Sequence, residues 1–513
     1  MADKINNKKI AKNTLLLYFR MLVTIVISLY TSRVILQILG VDDYGIFKTV
    51  GGVVGFLSFV NSALGTGSSR FIAFGLGKGD AAKLKDIFAT TLTAHIVLAL
   101  TIVLVAESIG LWFLFNRLLI PPERMDAAIY TFHVSIFTAF ITLTQVPYNA
   151  CIIAHERMNV YAYLSVFDAT AKLLIVYALQ VGDIDKLKLY ATLLCLLQFS
   201  ISAYYRFYCS RHFIEARFRI LFKKGIFKEI ASFSGWSLFA GCAIALNNQG
   251  VLILLNMFFS PAVVTARAIS LQVNMAANQL VTGFQTASVP QIVKHYAAND
   301  FDGSKQLLLQ TAKYGYYLML VMSLPICLVA KQLLQLWLGV VPEYTVVFLQ
   351  IIVIQSLFQI FDTTFYYALY AKGQLRENAL ISPTLLFIEF PIVYFLFKYN
   401  FSPVVLSWAS LTVYGLLGFV VKPILVTKIV DYRWSDVFSV FIPCLKVTIA
   451  SLPLPLLVYY EFHNCENLIM SFGVITVVSV LSVIISSWAL GIDTQTRAKL
   501  KEVCKDRILQ YRR

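Results

Sequence analysis

The sequence predicts an all-α polytopic membrane protein of about 14 transmembrane helices, with both termini in the cytoplasm. Three observations predict it: fourteen long apolar runs, basic residues gathered in every second gap between them, and a weak repeat of about 220 residues. A run crosses roughly 30 Å of hydrocarbon when it holds about 20 apolar residues. The runs are 14–37, 49–71, 87–112, 126–150, 158–181, 187–206, 231–257, 262–289, 312–336, 345–370, 379–398, 403–421, 438–459 and 467–490.

Charge gives the orientation. Counting residues toward the ends of runs with the adjoining gap, 31 of the 43 Lys and Arg residues fall in alternate gaps and the two tails, Arg70, Arg206 and Lys313 among them. Seven fall on the other side by the same convention: Lys48, Arg117, Arg124, Lys186, Lys188, Lys331 and Lys398. The other five are assigned to the runs themselves: Arg20, Arg33, Lys172, Arg267 and Lys446. Cytoplasmic loops carry the excess of Lys and Arg, so the N-terminus, with Lys4, Lys8, Lys9 and Lys12, is placed inside. Basic loops facing anionic lipid headgroups explain the net charge of +16 without nucleic acid.

Composition narrows the function. Hydrophobic content of 58% and a mean hydropathy of +0.74 lie far from a soluble domain. The longest polar gap, 207–230, is too short for a folded soluble domain, so function lies in the helix bundle. The first run is too long for a cleavable signal peptide. The eight cysteines form no C-x-x-C pair, and only Cys465 falls clearly in an outer gap, so no disulfide framework is expected. The histidines have no metal-ligand spacing, and no hydrolase or nucleotide-binding signature appears. Neither a cofactor nor an enzyme activity is expected.

The repeat relates two halves. An offset of 220 aligns the openings of the first and seventh runs, Phe19 with Phe239, and Gly79–Asp80 with Asn299–Asp300. An offset of 217 aligns Ala154, Ala162 and Ser165 with Ala371, Ala379 and Ser382. Six runs per half is an even number, so both halves share one orientation, as in transporters built from parallel repeats with substrate at the repeat interface. The expected domains are a six-helix lobe at 1–209, a basic cytoplasmic linker at 210–230 and a second six-helix lobe at 231–430. Two additional helices at 431–491 and a basic cytoplasmic tail at 492–513 complete the chain.

Polar residues recur on helical faces, at about 100° per residue. Arg267, Asn274, Asn278 and Gln285 share one line. Gln355, Gln359, Asp362 and Tyr366 share another, and Thr138, Thr142, Gln145 and Asn149 a third; the offset of 217 superimposes these last two stripes. Arg20, Thr24 and Thr31 share a face of the first run, and Ser234, Gly241 and Asn248 a face of the seventh, with Asn247 adjacent. Such residues can serve as hydrogen bonds between helices. Several stripes in two matched halves point instead to a shared water-filled cavity. Charges in hydrocarbon cost about 2.5–3.5 kcal/mol each on insertion scales and mark function. Arg20 and Arg267 lie on the stripes. Asp168 and Lys172 are four residues apart and can pair. Glu389 and Asp362 have no basic partner within their own runs and are candidates to carry H⁺ or Na⁺.

Four segments carry a family resemblance. They are Leu39–Gly40–Val41–Asp42–Asp43–Tyr44–Gly45, Gly77–Lys78–Gly79–Asp80, Ser260–Pro261–Ala262–Val263–Val264–Thr265–Ala266–Arg267, and Val289–Pro290–Gln291–Ile292–Val293–Lys294–His295–Tyr296–Ala297–Ala298. Over roughly residues 10–490 the chain resembles bacterial polysaccharide exporters of the O-antigen flippase type. These belong to the multidrug, oligosaccharidyl-lipid and polysaccharide exporter superfamily.

The resemblance implies two six-helix lobes plus two C-terminal helices in the bacterial inner membrane. Its implied substrate is an undecaprenyl-diphosphate-linked oligosaccharide, such as an O-antigen or capsule repeat unit, flipped by alternating access. Membrane lipids and polysaccharide assembly proteins are the implied partners. The chemistry agrees, since Arg holds diphosphate through two parallel hydrogen bonds. Asn, Gln and Thr suit sugar hydroxyls. The expected cavity set is Arg20, Thr24, Gln145, Asn149, Lys172, Asn248, Arg267, Asn274, Asn278, Gln285, Gln355 and Gln359, with Asp168, Asp362 and Glu389 for ion coupling. Two other readings stand beside it. A multidrug or cation antiporter of the same superfamily would favour an acidic cavity and twelve spans. A membrane glycosyltransferase or polymerase could use Asp42–Asp43 in the first outer loop, but such enzymes usually carry a large outer domain.

Overall fold

The computed structural model describes residues 2–56, 65, 68, 71–72, 76, 81–155, 157–181, 184–374, 376–463, 465, 467–493 and 497. Most of the expected second span, the Gly77–Lys78–Gly79–Asp80 motif and most of the C-terminal tail lie outside the described residues, as does the side chain of Arg20. Every other expected span lies on a helix, and no strand occurs among the described residues. Ten helices there are long and apolar enough to cross a membrane, or eleven if Phe301–Leu328 and Ala330–Leu338, bent by 80°, form one span. The protein is a multi-pass, all-helical membrane protein. The helices at 158–178 and 261–297 are not among the ten; they hold the Asp168–Lys172 pair and the Arg267–Gln285 stripe.

Contacts divide the chain into two compact units. The first comprises Met1–Ala268 and Leu386–Pro403; the second comprises Ile269–Leu385 and Val404–Arg513.

The first unit contains α1 (Ala2–Phe56), α2 (Ala81–Val105), α3 (Leu111–Arg117), α4 (Met125–Ala154), α5 (Met158–Ala178), α6 (Lys186–His212), α7 (Lys224–Ala245), α8 (Val251–Phe258) and the start of α9 (Pro261–Ala297). Helix α1 breaks at one residue, Gly40, where φ is 82° and ψ is 172°. Side chains disfavour that conformation, and glycine does not. The outer loop expected around Asp42–Asp43 is therefore corrected to this single break, with helix resuming at once. The physical reason is the packing just past the break. Thr265 donates to the Val41 carbonyl at 2.7 Å, and a Cβ on Gly45 would lie 2.1 Å from the Pro261 carbonyl oxygen. The first and third resemblance segments thus pack against each other, and Gly45 permits the approach.

The helix ends of this unit are tied by charge. Arg124 grips Asp43 with two bonds, at 2.8 and 2.7 Å, and reaches Asp185 at 2.6 Å. Asp185 also caps α6, accepting from the amides of Leu187 and Lys188. At the opposite ends, His155 meets Glu215 at 2.5 Å and stacks on Phe213, while Lys223 pairs with Asp86. The first set joins residues that the charge rule places outside; the second joins residues it places inside. Between them lies a core of Ile87, Phe88, Leu92, Tyr148, Ile152, Leu197 and Ile201.

The second unit contains the rest of α9, then α10 (Phe301–Leu328), α11 (Ala330–Leu338), α12 (Thr345–Lys372), the start of α13 (Arg376–Lys398), α14 (Val405–Leu416), α15 (Lys422–Ile429), α16 (Trp434–Ser451), α17 (Pro453–Phe462) and α18 (Leu468–Ser486). Its core centres on Phe361, which stacks on Tyr316 at 5.2 Å and meets Phe441 at 4.9 Å and Phe419 at 5.5 Å. Contacts of this kind hold helices together in lipid, where burial of apolar surface gives no drive. Large apolar side chains stay open in both units, among them Leu104 at 70%, Tyr163 at 69% and Ile469 at 71% exposure. In water this would be an aggregation hazard; facing acyl chains, it is a matched surface.

Candidate functional site

Two buried polar clusters stand out, one in each unit, and each lies beside a π-helical turn. In the first unit the turn is Leu246–Gly250, between α7 and α8. Such turns carry an extra residue, shift the helical face and recur at functional sites. This one presents Asn247, whose amide donates to Glu389 Oε2 at 3.1 Å. Glu389 is 3% exposed. Gly250 lets α13 come close, since a Cβ there would sit 3.2 Å from the Phe390 ring. A carboxylate buried beside a neutral amide is suited to holding a proton or a small cation. Asn248, the next residue, is exposed.

In the second unit the turn is Leu417–Val421, which joins α14 to α15 in one continuous helix. That helix carries Lys422 inward, to 2% exposure. Its Nζ lies 3.1 Å from Asp362 Oδ1, donates to Asn378 Oδ1 and sits 5.5 Å from the centre of the Tyr366 ring. Asp362 and Tyr366 are members of the predicted α12 stripe, so the stripe does face a charged site. Asp362, without a basic partner in its own span, has one from another helix. Lys422 escapes a reading by apolar runs because the run stops at 421, which assigns it to the cytoplasmic gap. The signal that could have found it is the apolar Ile424–Leu425–Val426 just beyond.

The remaining predicted residues divide by what they touch. Asn274, Asn278 and Gln285 turn toward α12. Ser356 donates to Asn274 Oδ1 at 2.7 Å, Asn278 donates to Ser356 at 3.0 Å, and Gln285 donates to Thr364 at 2.7 Å. In this conformation they form a polar seam between two helices. Gln355 is buried, and Gln359 is half-buried. In the first unit, Gln145 accepts from Gln198 at 2.9 Å, and Thr144, one residue before it, accepts from Arg206 at 2.6 Å. Asn149 buries its carbonyl oxygen in the same helix. Thr24 bonds to the carbonyl of Met21. Asp168 and Lys172 pair at 2.6 Å along one helix. Arg267 is 2% exposed, near the start of α9. Among the described residues no group of acidic, His or Cys side chains could hold a metal ion.

No family model and no curated protein matches the sequence. Solved structures do match this arrangement of helices. One is an inward-facing multidrug resistance MATE family transporter of the MOP superfamily, with TM-score 0.66 and 15% identity over 79% of this chain and 96% of that one. Another is the lipid II flippase MurJ in an inward closed conformation, with TM-score 0.68 and 10% identity over 93% of this chain and 98% of that one. A third is a MOP superfamily transporter from Pyrococcus furiosus, with TM-score 0.60 and 15% identity over 82% and 97%. At such identities likeness establishes the fold, and the fold is that of MOP superfamily transporters.

Proposed function

We propose that this protein is a flippase for a lipid-linked anionic glycan, and that its substrate is an undecaprenyl-diphosphate-linked oligosaccharide carried across the bacterial inner membrane. The observation that carries this reading is the extent of the fold likeness. The lipid II flippase accounts for 93% of this chain, against 79–83% for the multidrug-type transporters. In this reading the chain is two six-helix lobes, 1–209 and 231–430, with the appended helices α16–α18, and the extra tenth of the chain that the flippase covers is about the length of that appendage. Those helices have a use in this reading. The first of them, α16, lines with α10, α12 and Phe419 an apolar cleft of about 490 Å³ that includes Tyr316, Leu320, Phe358, Phe441, Leu445 and Thr448. Such a cleft suits an isoprenoid chain, while buried arginine suits the diphosphate. Glu389 with Asn247 is the candidate coupling site for H⁺ or Na⁺.

Deleting the protein should leave lipid-linked oligosaccharide on the cytoplasmic face, measured by its protection from glycan-modifying enzymes added to intact spheroplasts. Full access in the deletion strain would sink the flippase reading. Drug sensitivity without glycan retention would favour the antiporter, and sugar incorporation by purified protein would favour the polymerase.

A further inference from the structure

The Lys422 cluster goes beyond transport of any one substrate, because its geometry is that of a filled cation site. The ammonium donates to the amide oxygen of Asn378, lies in ion-pair contact with Asp362 Oδ1 at 3.1 Å and sits over the face of Tyr366. Carboxylate and carbonyl oxygens are the ligands of hard cations, and an aromatic face attracts ammonium-type cations. Ser382 donates to the same Asn378 oxygen at 3.2 Å, which helps fix the amide with its oxygen toward the lysine.

The backbone is built to deliver the lysine there. A Cβ on Gly418 would lie 2.5 Å from the Phe358 carbonyl oxygen, so glycine lets the helix through α14 and α15 touch α12. One turn on, Lys422 meets Asp362. Both pairs are separated by sixty residues, so the two helices run in fixed register across the contact.

Stability alone is a weak reason for such a pair. Buried ion pairs often gain nothing over apolar residues of similar size, and at membrane depth they are rare outside functional sites. Their side chains differ in access: Lys422 is 3% exposed and Asp362 20%. The ammonium is the more deeply buried partner.

We infer that Lys422 is a tethered counter-cation: its ammonium occupies a cation site made by Asp362, Asn378 and Tyr366, which therefore holds positive charge without drawing an ion from solution. An untethered cation could bind and leave during a transport cycle. A tethered one keeps Asp362 balanced throughout, so this carboxylate does not couple transport to a gradient.

Thermal unfolding of the purified full-length protein tests this without any assumption about substrate. The background is Glu389→Gln, which neutralises the carboxylate proposed above for ion coupling. Ionic strength is held constant while N-methylglucamine chloride is replaced by sodium, potassium or methylammonium chloride. With Lys422 present, the midpoint should not depend on which cation is used. Lys422→Met keeps the stem and stops one atom short of the ammonium. Its midpoint should fall in N-methylglucamine and rise saturably, by about 2–4 °C, with at least one small cation. Asp362→Asn added to Lys422→Met should abolish that rise, because the vacated site is then neutral. A Lys422→Met protein that gains nothing from any of the three cations, whether or not it folds, overturns the inference. So does a rise that survives Asp362→Asn.

Discussion

Arg267 and Glu389 are the residues on which the proposed transport chemistry turns, and each makes a separable prediction. Arg267 is a buried cation at the start of α9. Charge-assisted bonds contribute about 1.5–3 kcal/mol, so Arg267→Ala should slow glycan translocation roughly tenfold to a hundredfold. Arg267→Lys should recover part of it, since the charge stays and the two-pronged geometry goes. Normal export in the Arg20→Ala/Arg267→Ala double variant would remove both from the site. Glu389→Gln keeps the partner of Asn247 and gives up the exchangeable charge. Export in that variant should lose its dependence on external pH and sodium; an unchanged dependence would exclude Glu389 as carrier. At this scale the sequence was half legible. Periodicity picked out Asp362 and Tyr366 on one face, because helical phase is a local property. It did not supply Lys422 or Asn378, because both reach the site from other helices, and pairing between helices leaves no trace in the spacing along one of them. The same limit hid the role of Asn274, Asn278 and Gln285. Their common face was correct, but only the structure shows it turned toward Ser356 and Thr364.

Helices here are adjusted by single residues, and those positions give element-level predictions. Gly45 lies where a Cβ would come 2.1 Å from the Pro261 carbonyl. That neighbour is backbone and cannot rotate away, so Gly45→Ala should cost about 1–3 kcal/mol by overpacking, read as a lower unfolding midpoint in detergent. Gly473→Ala, with open space around it, should leave the midpoint nearly unchanged. Asp185 combines two tasks, capping α6 and meeting Arg124. Burial raises its pKa, but hydrogen bonds from Arg124 and the Lys188 amide more than offset this, leaving it below the usual aspartate value. A lowered folded-state pKa means stability that is complete above the ordinary aspartate range and is lost as pH falls through the folded value. Asp185→Ala should therefore lower the midpoint at pH 7 by more than it does near pH 3. A difference of equal size at both pH values would show that the carboxylate charge contributes nothing. These features explain what the sequence could show of its elements. Apolar runs revealed the spans. The break at Gly40 and the π turns were invisible, because each is one residue's departure set by a neighbouring helix.

At the scale of the whole molecule, orientation is an expectation that rests on charge rather than on packing. Ion pairs within the first unit join helix ends into two sets. Asp43, Arg124 and Asp185 belong to one, while His155 with Glu215 and Lys223 with Asp86 belong to the other. Such pairs hold equally well whichever set faces the cytoplasm. The tally of 31 basic residues against 7 breaks that symmetry, because anionic headgroups and the insertion machinery retain positive loops inside. Native Cys209 sits in the right segment to test this but is fully buried, so its silence toward a reagent would mean nothing about sidedness. Arg219 is the better probe. Its side chain is 61% exposed, and its contact with Asp86 is a long 3.8 Å, with Lys223 left to hold that aspartate. In an otherwise cysteine-free protein, Arg219→Cys should resist a membrane-impermeant maleimide in intact cells and react after permeabilisation. A protein retaining only Cys465, in the gap between α17 and α18, should react in intact cells without permeabilisation. Labelling of Arg219→Cys in intact cells together with protection of Cys465 would invert the topology, and with it the leaflet from which any lipid-linked substrate is taken.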